Sequence, residues 1–154
     1  MAEIFTKRVE VFVYKKTKAG VRYLVMKRAD KGRYPNLWQM VSGTMDEGEK
    51  VYDTAIREMK EETGLEPDEL HVLPVMTTFY NSVEDSISIL PVFLAKVSGE
   101  VKLSEEHSEY KWVDFHKAYK LLSWVQWKEN VFQAEKVLKN KLLFKALQKI
   151  EIKK

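Results

Sequence analysis

Gly43-Thr44-Met45-Asp46-Glu47-Gly48-Glu49, followed after seven residues by Arg57-Glu58-Met59-Lys60-Glu61-Glu62-Thr63-Gly64-Leu65, decides how this chain is read. From Lys50 to Thr63 the sequence carries good helix formers at helical spacing, and Gly64 stands where a C-terminal cap belongs. Val51, Ala55, Glu58 and Glu62 are 4, 3 and 4 residues apart and share one stripe of that helix. The first half of the stripe is apolar and the second half is acidic. Like charges at i and i+4 cost an isolated helix a few tenths of a kcal/mol. The C-terminal end of a helix is also the wrong end for anions. A cation would offset both costs. Carboxylates without His or Cys favour a hard ion, magnesium or manganese, over zinc. The same residues also fit a solvated acidic face balanced by Arg57 and Lys60, and spacing alone leaves the two readings open. Gly43 and Gly48, bracketing a short acidic turn, suggest backbone shaped for close approach to a ligand.

Outward from this segment the pattern changes to strands. Val9 to Tyr14 and Tyr23 to Met26 are rich in β-branched and aromatic residues, with a turn at Lys18 to Gly20. Lys31 to Asn36 is a polar loop, and Trp38 to Ser42 a short strand ending at Gly43. Val72 to Tyr80 and Ile87 to Val97 form two further strands joined by the polar Asn81 to Ser86. Tyr110 to Val113 is a last strand. Asp114 caps a short helix running to about Leu122, and a long helix from about Lys128 to Ile150 closes the chain. On that helix Val131, Ala134, Leu138, Leu142 and Ala146 make the apolar face, and lysines fill the rest. Strands mixed with a few helices give an α/β class with helices packed on a sheet, in one domain over residues 1–154.

Composition narrows the function. The 154 residues contain no cysteine, which excludes disulfides, thiolate zinc sites and a cysteine nucleophile. That absence suits a reducing cytosol, and a cytoplasmic location is the expectation. Met1 to Glu10 carries charges and no long apolar run, so no signal peptide is read there. No stretch approaches the roughly 18 apolar residues of a membrane helix. A net charge of +3 is too weak to argue for nucleic acid, and nucleic acid is not an expected partner.

The segment from Gly43 to Leu65 resembles the signature box of the Nudix hydrolase family. Gly43, Glu49, Arg57, Glu58, Glu61, Glu62 and Gly64 match its fixed positions, with Met59 and Leu65 at the two bulky aliphatic ones. Met59 departs mildly from the usual Ile, Leu or Val, and packs adequately. The resemblance implies an α/β/α sandwich with a mixed sheet and a loop-helix-loop at the site. It implies hydrolysis of a phosphoanhydride with Mg2+, for which Mn2+ can substitute. It makes Glu58 and Glu62 the principal metal ligands, Glu61 a ligand or a support to one, and Gly43 a carbonyl donor. Arg57 then holds the carboxylates, and Glu49 pairs with Arg57. Metal ions suit this chemistry because they neutralise an anionic linkage that otherwise repels its nucleophile.

A second resemblance concerns the substrate. Trp38-Gln39-Met40-Val41-Ser42-Gly43 lacks the Pro-Gly common before the box. It is similar to the Trp-Gln-x-Val-Thr-Gly lead-in of bacterial dATP pyrophosphohydrolases, a group that includes dihydroneopterin triphosphate pyrophosphatase. Met26-Lys27-Arg28-Ala29-Asp30 and Ser104-Glu105-Glu106-His107-Ser108-Glu109-Tyr110-Lys111-Trp112-Val113-Asp114 are similar to the same group. This implies pyrophosphate release from a nucleoside or pterin triphosphate. A dinucleoside polyphosphate or nucleotide sugar is the alternative substrate, and a non-catalytic binding module the alternative class. Glu106 becomes the distant carboxylate that completes the metal site or acts as base, with Glu105 and Glu109 as rivals. Arg28 is the candidate for gripping distal phosphates, ahead of Lys27 and Arg33. Trp38, Gln39, Phe79, Tyr80 and Trp124 are candidates for the organic group's pocket. The expected partner is a small-molecule polyphosphate, and the expected assembly a monomer or homodimer.

Overall fold

A computed structural model describes residues 1–153. Strand β2 (Arg8–Thr17) runs through the middle of the sheet. Its residues from Val9 to Tyr14 are all buried, as befits a strand covered on both faces. Its alternation sends Val9, Val11 and Val13 to one core and Phe12 and Tyr14 to the other. Parallel to it lies β7 (Ser86–Lys96), which pairs antiparallel with β6 (Glu69–Asn81). The short β1 (Glu3–Phe5) pairs parallel with the start of β7.

The other edge of β2 is shared. Residues 14–17 pair with β3 (Gly20–Arg28), and residues 8–11 pair with β5 (Val41–Thr44). This fork sets Gly43 opposite Val9. Beyond it, β3 pairs with β4 (Trp38–Gln39) and with β8 (His107–Val113). The sheet is therefore mixed, and helices cover both faces. Helix α1 (Val51–Thr63) lies on one face, burying Ala55 and Met59 beside Val11, Met26 and Phe93. Helices α2 (Phe115–Leu121) and α3 (Val125–Leu138) lie on the other, burying Ala118, Val131 and Ala134 beside Phe12, Tyr23 and Leu94. The expected α/β/α sandwich is the observed fold. No helix among the described residues is long and apolar enough to cross a membrane.

The long C-terminal helix is a correction. It breaks at Asn140, whose backbone is extended and whose side chain accepts from the Leu142 and Leu143 amides. Asn is a helix-starting residue, and here it starts the separate α4 (Lys141–Ala146). A last short strand, β9 (Lys149–Ile150), then pairs with β6. Leu142 and Leu143 therefore do not continue the buried stripe of α3; both are exposed.

Candidate active site

Helix α1 ends as the sequence predicts. Gly64 takes the left-handed conformation, φ 72°, and its N–H closes on the Lys60 carbonyl. The loop leading into the helix is tied to it by Arg57. Its Nε donates to Glu49 Oε2 at 2.9 Å, one Nη donates to Glu49 Oε1 at 3.0 Å, and that Nη also reaches the Thr44 carbonyl at 2.8 Å. Thr54 and the Asp46 amide donate to the same Glu49 carboxylate. Glu49 is consequently held at a pKa of about 2, first by the Arg57 bonds and then by Thr54. The other Nη of Arg57 donates to Glu58 at 2.9 Å and to Glu61 at 3.2 Å. Arg57 thus hydrogen-bonds three carboxylates and one loop carbonyl, with Asp46 a fourth carboxylate 3.4 Å from its Nε, a task suited to a planar five-donor fork.

Gly43 sits against Glu58. A Cβ there would fall 2.0 Å from the Glu58 carboxyl carbon, so only glycine lets this side chain lie across the strand. Glu58 is half-buried, and burial raises its pKa while Arg57 opposes the rise.

Glu62 is the extreme case. It is 1% exposed, and neither carboxylate oxygen has a hydrogen-bond partner in the protein. The Ser42 backbone lies near enough to favour its charge without reaching hydrogen-bond geometry. Burial pushes its pKa well above the usual range, and the neighbouring Glu58 and Glu106 push it further.

Glu106 arrives from far along the chain by two ties. The Lys102 and Ser104 amides donate to the Thr63 and Glu62 carbonyls, which lays that segment along the end of α1. A bulge between Lys27 and Arg28 shifts the β3–β8 register, and the Ala29 amide then donates to the Glu106 carbonyl. Ligand atoms of Glu62, Glu106 and His107 consequently lie within 4.8 Å of one another. His107 is fully buried, and Gln39 Nε2 stands 2.8 Å from its Nε2. Burial pushes its pKa down to about 4, with Arg28 adding to the effect. The ring is thus neutral at neutral pH, and its 3.8 Å approach to Glu62 is not an ion pair.

Uncompensated, this cluster would be costly. A buried carboxylate with no partner loses several kcal/mol of hydration. A hard divalent cation restores that loss, and the oxygen-rich donor set with one neutral imidazole fits such an ion.

Beside the cluster opens a cleft of about 1230 Å³. Glu58, Glu106, Gly43 and Gln39 stand at its acidic end, and Arg8, Arg28, Lys31 and Arg33 bring positive charge into it. Arg28 is braced by its Nε bond to the Arg33 carbonyl. Arg8 is aimed by Thr44 and Ser42 hydroxyls, both 3.0 Å away, and no carboxylate pairs with it among the described residues. Phe79, Tyr80, Tyr34, Trp124 and Trp127 supply aromatic walls.

The structure brings most of the expected residues together and moves some. Glu62 and Glu106 form the tight group, and Glu58 adjoins it. Glu61 leans on Arg57 with 57% of its side chain exposed, outside the group. Of the rival carboxylates, Glu105 is exposed, and Glu109 is engaged by Lys111. Trp38 is a correction: it packs on the α2–α3 core with Lys111 over its ring and does not line the cleft. Arg8 and Glu10 are among the residues that escaped the sequence reading. Arg8 falls just before the first expected strand, and Glu10 lies inside it. The available signal was a lone carboxylate in an otherwise apolar buried run, which native strands tolerate only when it is paired.

A glycine-backed carboxylate cluster thus stands on the end of a helix, beside a cleft that carries basic side chains. The chain belongs to the Nudix family: the NUDIX domain model matches residues 5–134. Among relatives, it is 30% identical over 105 residues to the asymmetrical bis(5'-nucleosyl)-tetraphosphatase of Mus musculus, covering 66% of this chain and 71% of that one. A Nudix hydrolase structure from Listeria monocytogenes superposes with a TM-score of 0.75 at 27% identity, over 94% of this chain and 99% of the other. The dihydroneopterin triphosphate pyrophosphohydrolase of E. coli shares the fold, with a TM-score of 0.66 at 23% identity over 86% of this chain and 97% of the other.

Proposed function

We propose that this hydrolase uses Mg2+ to cleave a nucleoside or pterin triphosphate, releasing pyrophosphate and the monophosphate. The observation that carries the reading is the set of groups that share the cleft. One cleft combines carboxylates that adjoin an orphaned buried one, an arginine with no carboxylate partner among the described residues, and aromatic side chains. A bound divalent cation supplies charge neutralisation and Lewis-acid polarisation of the anhydride. Glu62, Glu58 and Glu106 would hold the cation, and the Gly43 carbonyl would be a further donor. Arg57 keeps Glu58 and Glu61 oriented. Glu106, the more accessible carboxylate of the tight group, takes the proton of the attacking water. Arg8 and Arg28 hold phosphate oxygens, and Phe79, Tyr80 and Trp124 hold the ring. Positioning and preorganised charge do most of the work in such reactions.

One observation favours a second reading. The cleft exceeds the roughly 300–1,000 Å³ of ordinary small-molecule sites, which leaves room for two ring systems. The mouse relative is named for a dinucleoside tetraphosphate, and the same site residues would serve that substrate.

The test is phosphate and pyrophosphate release with Mg2+ across nucleoside triphosphates, dihydroneopterin triphosphate, diadenosine tetraphosphate and ADP-ribose, with Glu62→Gln as control. Pyrophosphate from a triphosphate, lost in the control, supports the first reading. Activity confined to the dinucleotide moves the assignment to the second. Tight binding without turnover of any of them contradicts both.

A further inference from the structure

Glu10 lies outside the metal cluster and is 2% exposed, yet it contributes to the floor of the cleft. Each of its oxygens already accepts one hydrogen bond. Thr77 Oγ1 donates to Oε1 at 2.5 Å, and Trp127 Nε1 donates to Oε2 at 2.7 Å. Behind Thr77 stands a chain of donors with one direction. Gln126 Nε2 donates to Asn130 Oδ1 at 2.9 Å, and Asn130 Nδ2 donates to Thr77 Oγ1 at 2.8 Å. Every link points toward Glu10, so the network ends on an acceptor.

A carboxylate has about four acceptor positions, and two remain. No cation forms an ion pair with Glu10 among the described residues. Arg8, two residues earlier on the same strand face, is turned toward Ser42 and Thr44. Glu10 lines the cleft, so N–H donors of a bound molecule would complete its acceptor positions. A merely structural pin between α3 and the sheet would need only the two bonds it has, and a neutral side chain would make them at lower desolvation cost.

We infer that Glu10 reads the organic group of the substrate, accepting from the adjacent ring N–H and amino N–H of a 2-amino-4-oxo heterocycle, the edge that guanine and pterins share. Two parallel donors match the two carboxylate oxygens. Adenine offers an amino donor beside a ring-nitrogen acceptor, and that lone pair would face the carboxylate. Trp127, fixed by its bond to Glu10, and the exposed faces of Trp124 and Phe79 supply stacking surfaces next to this floor. Glu10 is a specificity-determining residue in this account.

The inference rests on the proposed reading only in taking this cleft as the substrate site, so its test reads binding and not turnover. Calorimetry with GMP, IMP and AMP on the whole chain in Mg2+ compares three edges at one phosphate. IMP keeps the ring N–H and lacks the 2-amino group. The wild type should bind GMP tighter than IMP and IMP tighter than AMP, with roughly 10- to 100-fold between the extremes, as for hydrogen bonds to a charged acceptor. Glu10→Gln should collapse or invert the GMP-to-AMP ratio while the thermal midpoint of the protein stays near wild type. Equal binding of the three by the wild type, or no binding of any, overturns the assignment without recourse to a variant. An unchanged ratio in folded Glu10→Gln also overturns it. Loss of hydrolysis across the substrate panel with the binding ratio intact would instead sink the reaction proposed above and leave Glu10 in place.

Discussion

Glu62 and Glu10 are carboxylates of nearly equal burial, 1% and 2% exposed, set in opposite surroundings. Glu10 meets two neutral donors, and a chain of amides stands behind one of them. Neither oxygen of Glu62 has a donor within hydrogen-bond geometry, and it faces Glu58 and Glu106. Burial raises the pKa of both, but only at Glu62 do neighbouring carboxylates reinforce the rise. An arrangement like that at Glu62 persists when a ligand of positive charge restores what burial removes. The one at Glu10 needs no cation and leaves acceptor positions for N–H groups. On the function proposed above, the difference divides the labour of a single cleft: the unsatisfied carboxylate would mark the ion and anhydride end, the satisfied one the organic end.

The largest expected effect comes from removing the unsatisfied charge. Glu62→Gln should lower turnover by more than the roughly 10- to 100-fold that loss of a supporting residue costs. Its metal-free form should nevertheless be more stable than wild type at pH 7. A carboxyl whose folded pKa is raised contributes stability below its unfolded value, and loses that contribution as pH rises through the folded value. The stability gap between variant and wild type should therefore narrow as pH falls toward 4.5, in thermal melts with EDTA. A wild type more stable than the variant without metal would break the comparison.

Gly43→Ala should come next. The added methyl meets Glu58 and must displace it, so turnover should fall by about 10- to 100-fold, with stability reduced by about 1–3 kcal/mol. Steady-state kinetics and denaturant melts would check both. Glu49→Gln sharpens the contrast because its sign is reversed. Glu49 has a folded pKa lowered to about 2 by Arg57 and Thr54, so its contribution is present above about 4.5 and is lost as pH falls toward 2. The variant should be less stable than wild type at pH 7 and converge with it in acid, the opposite of Glu62→Gln. The smallest effect belongs to Asn140→Ala, which removes the cap of α4 far from either carboxylate. It should cost about 0.5–2 kcal/mol in melts and leave turnover unchanged.

Much of this was legible in the chain. The 4, 3, 4 spacing put Glu58 and Glu62 on the stripe that holds Ala55, and the structure buries Ala55, Met59 and Glu62 together on that side of α1. Gly64 ended the helix where a left-handed residue was required. Glu106 was legible only by resemblance, because its position depends on a bulge and on two amide bonds to the end of α1 that no local pattern encodes. The C-terminal helix was misread because its apolar spacing continues past Asn140, while a single capping side chain and pairing with β6 decide the break. Trp38 sits beside the box in sequence, but its strand turns it toward the α2–α3 core. Glu10 was hidden inside an apolar run whose strand character was correct, and only the tertiary contacts of Thr77 and Trp127 explain a charge there.

The most direct test of the account is Mn2+ binding, followed by the electron paramagnetic resonance of the free ion, in wild type, Glu62→Gln and Glu106→Gln. The account predicts binding by the wild type and at least a roughly 10-fold loss of affinity in each folded variant. Wild-type affinity retained in folded Glu62→Gln would show that the orphaned carboxylate is not where the cation sits.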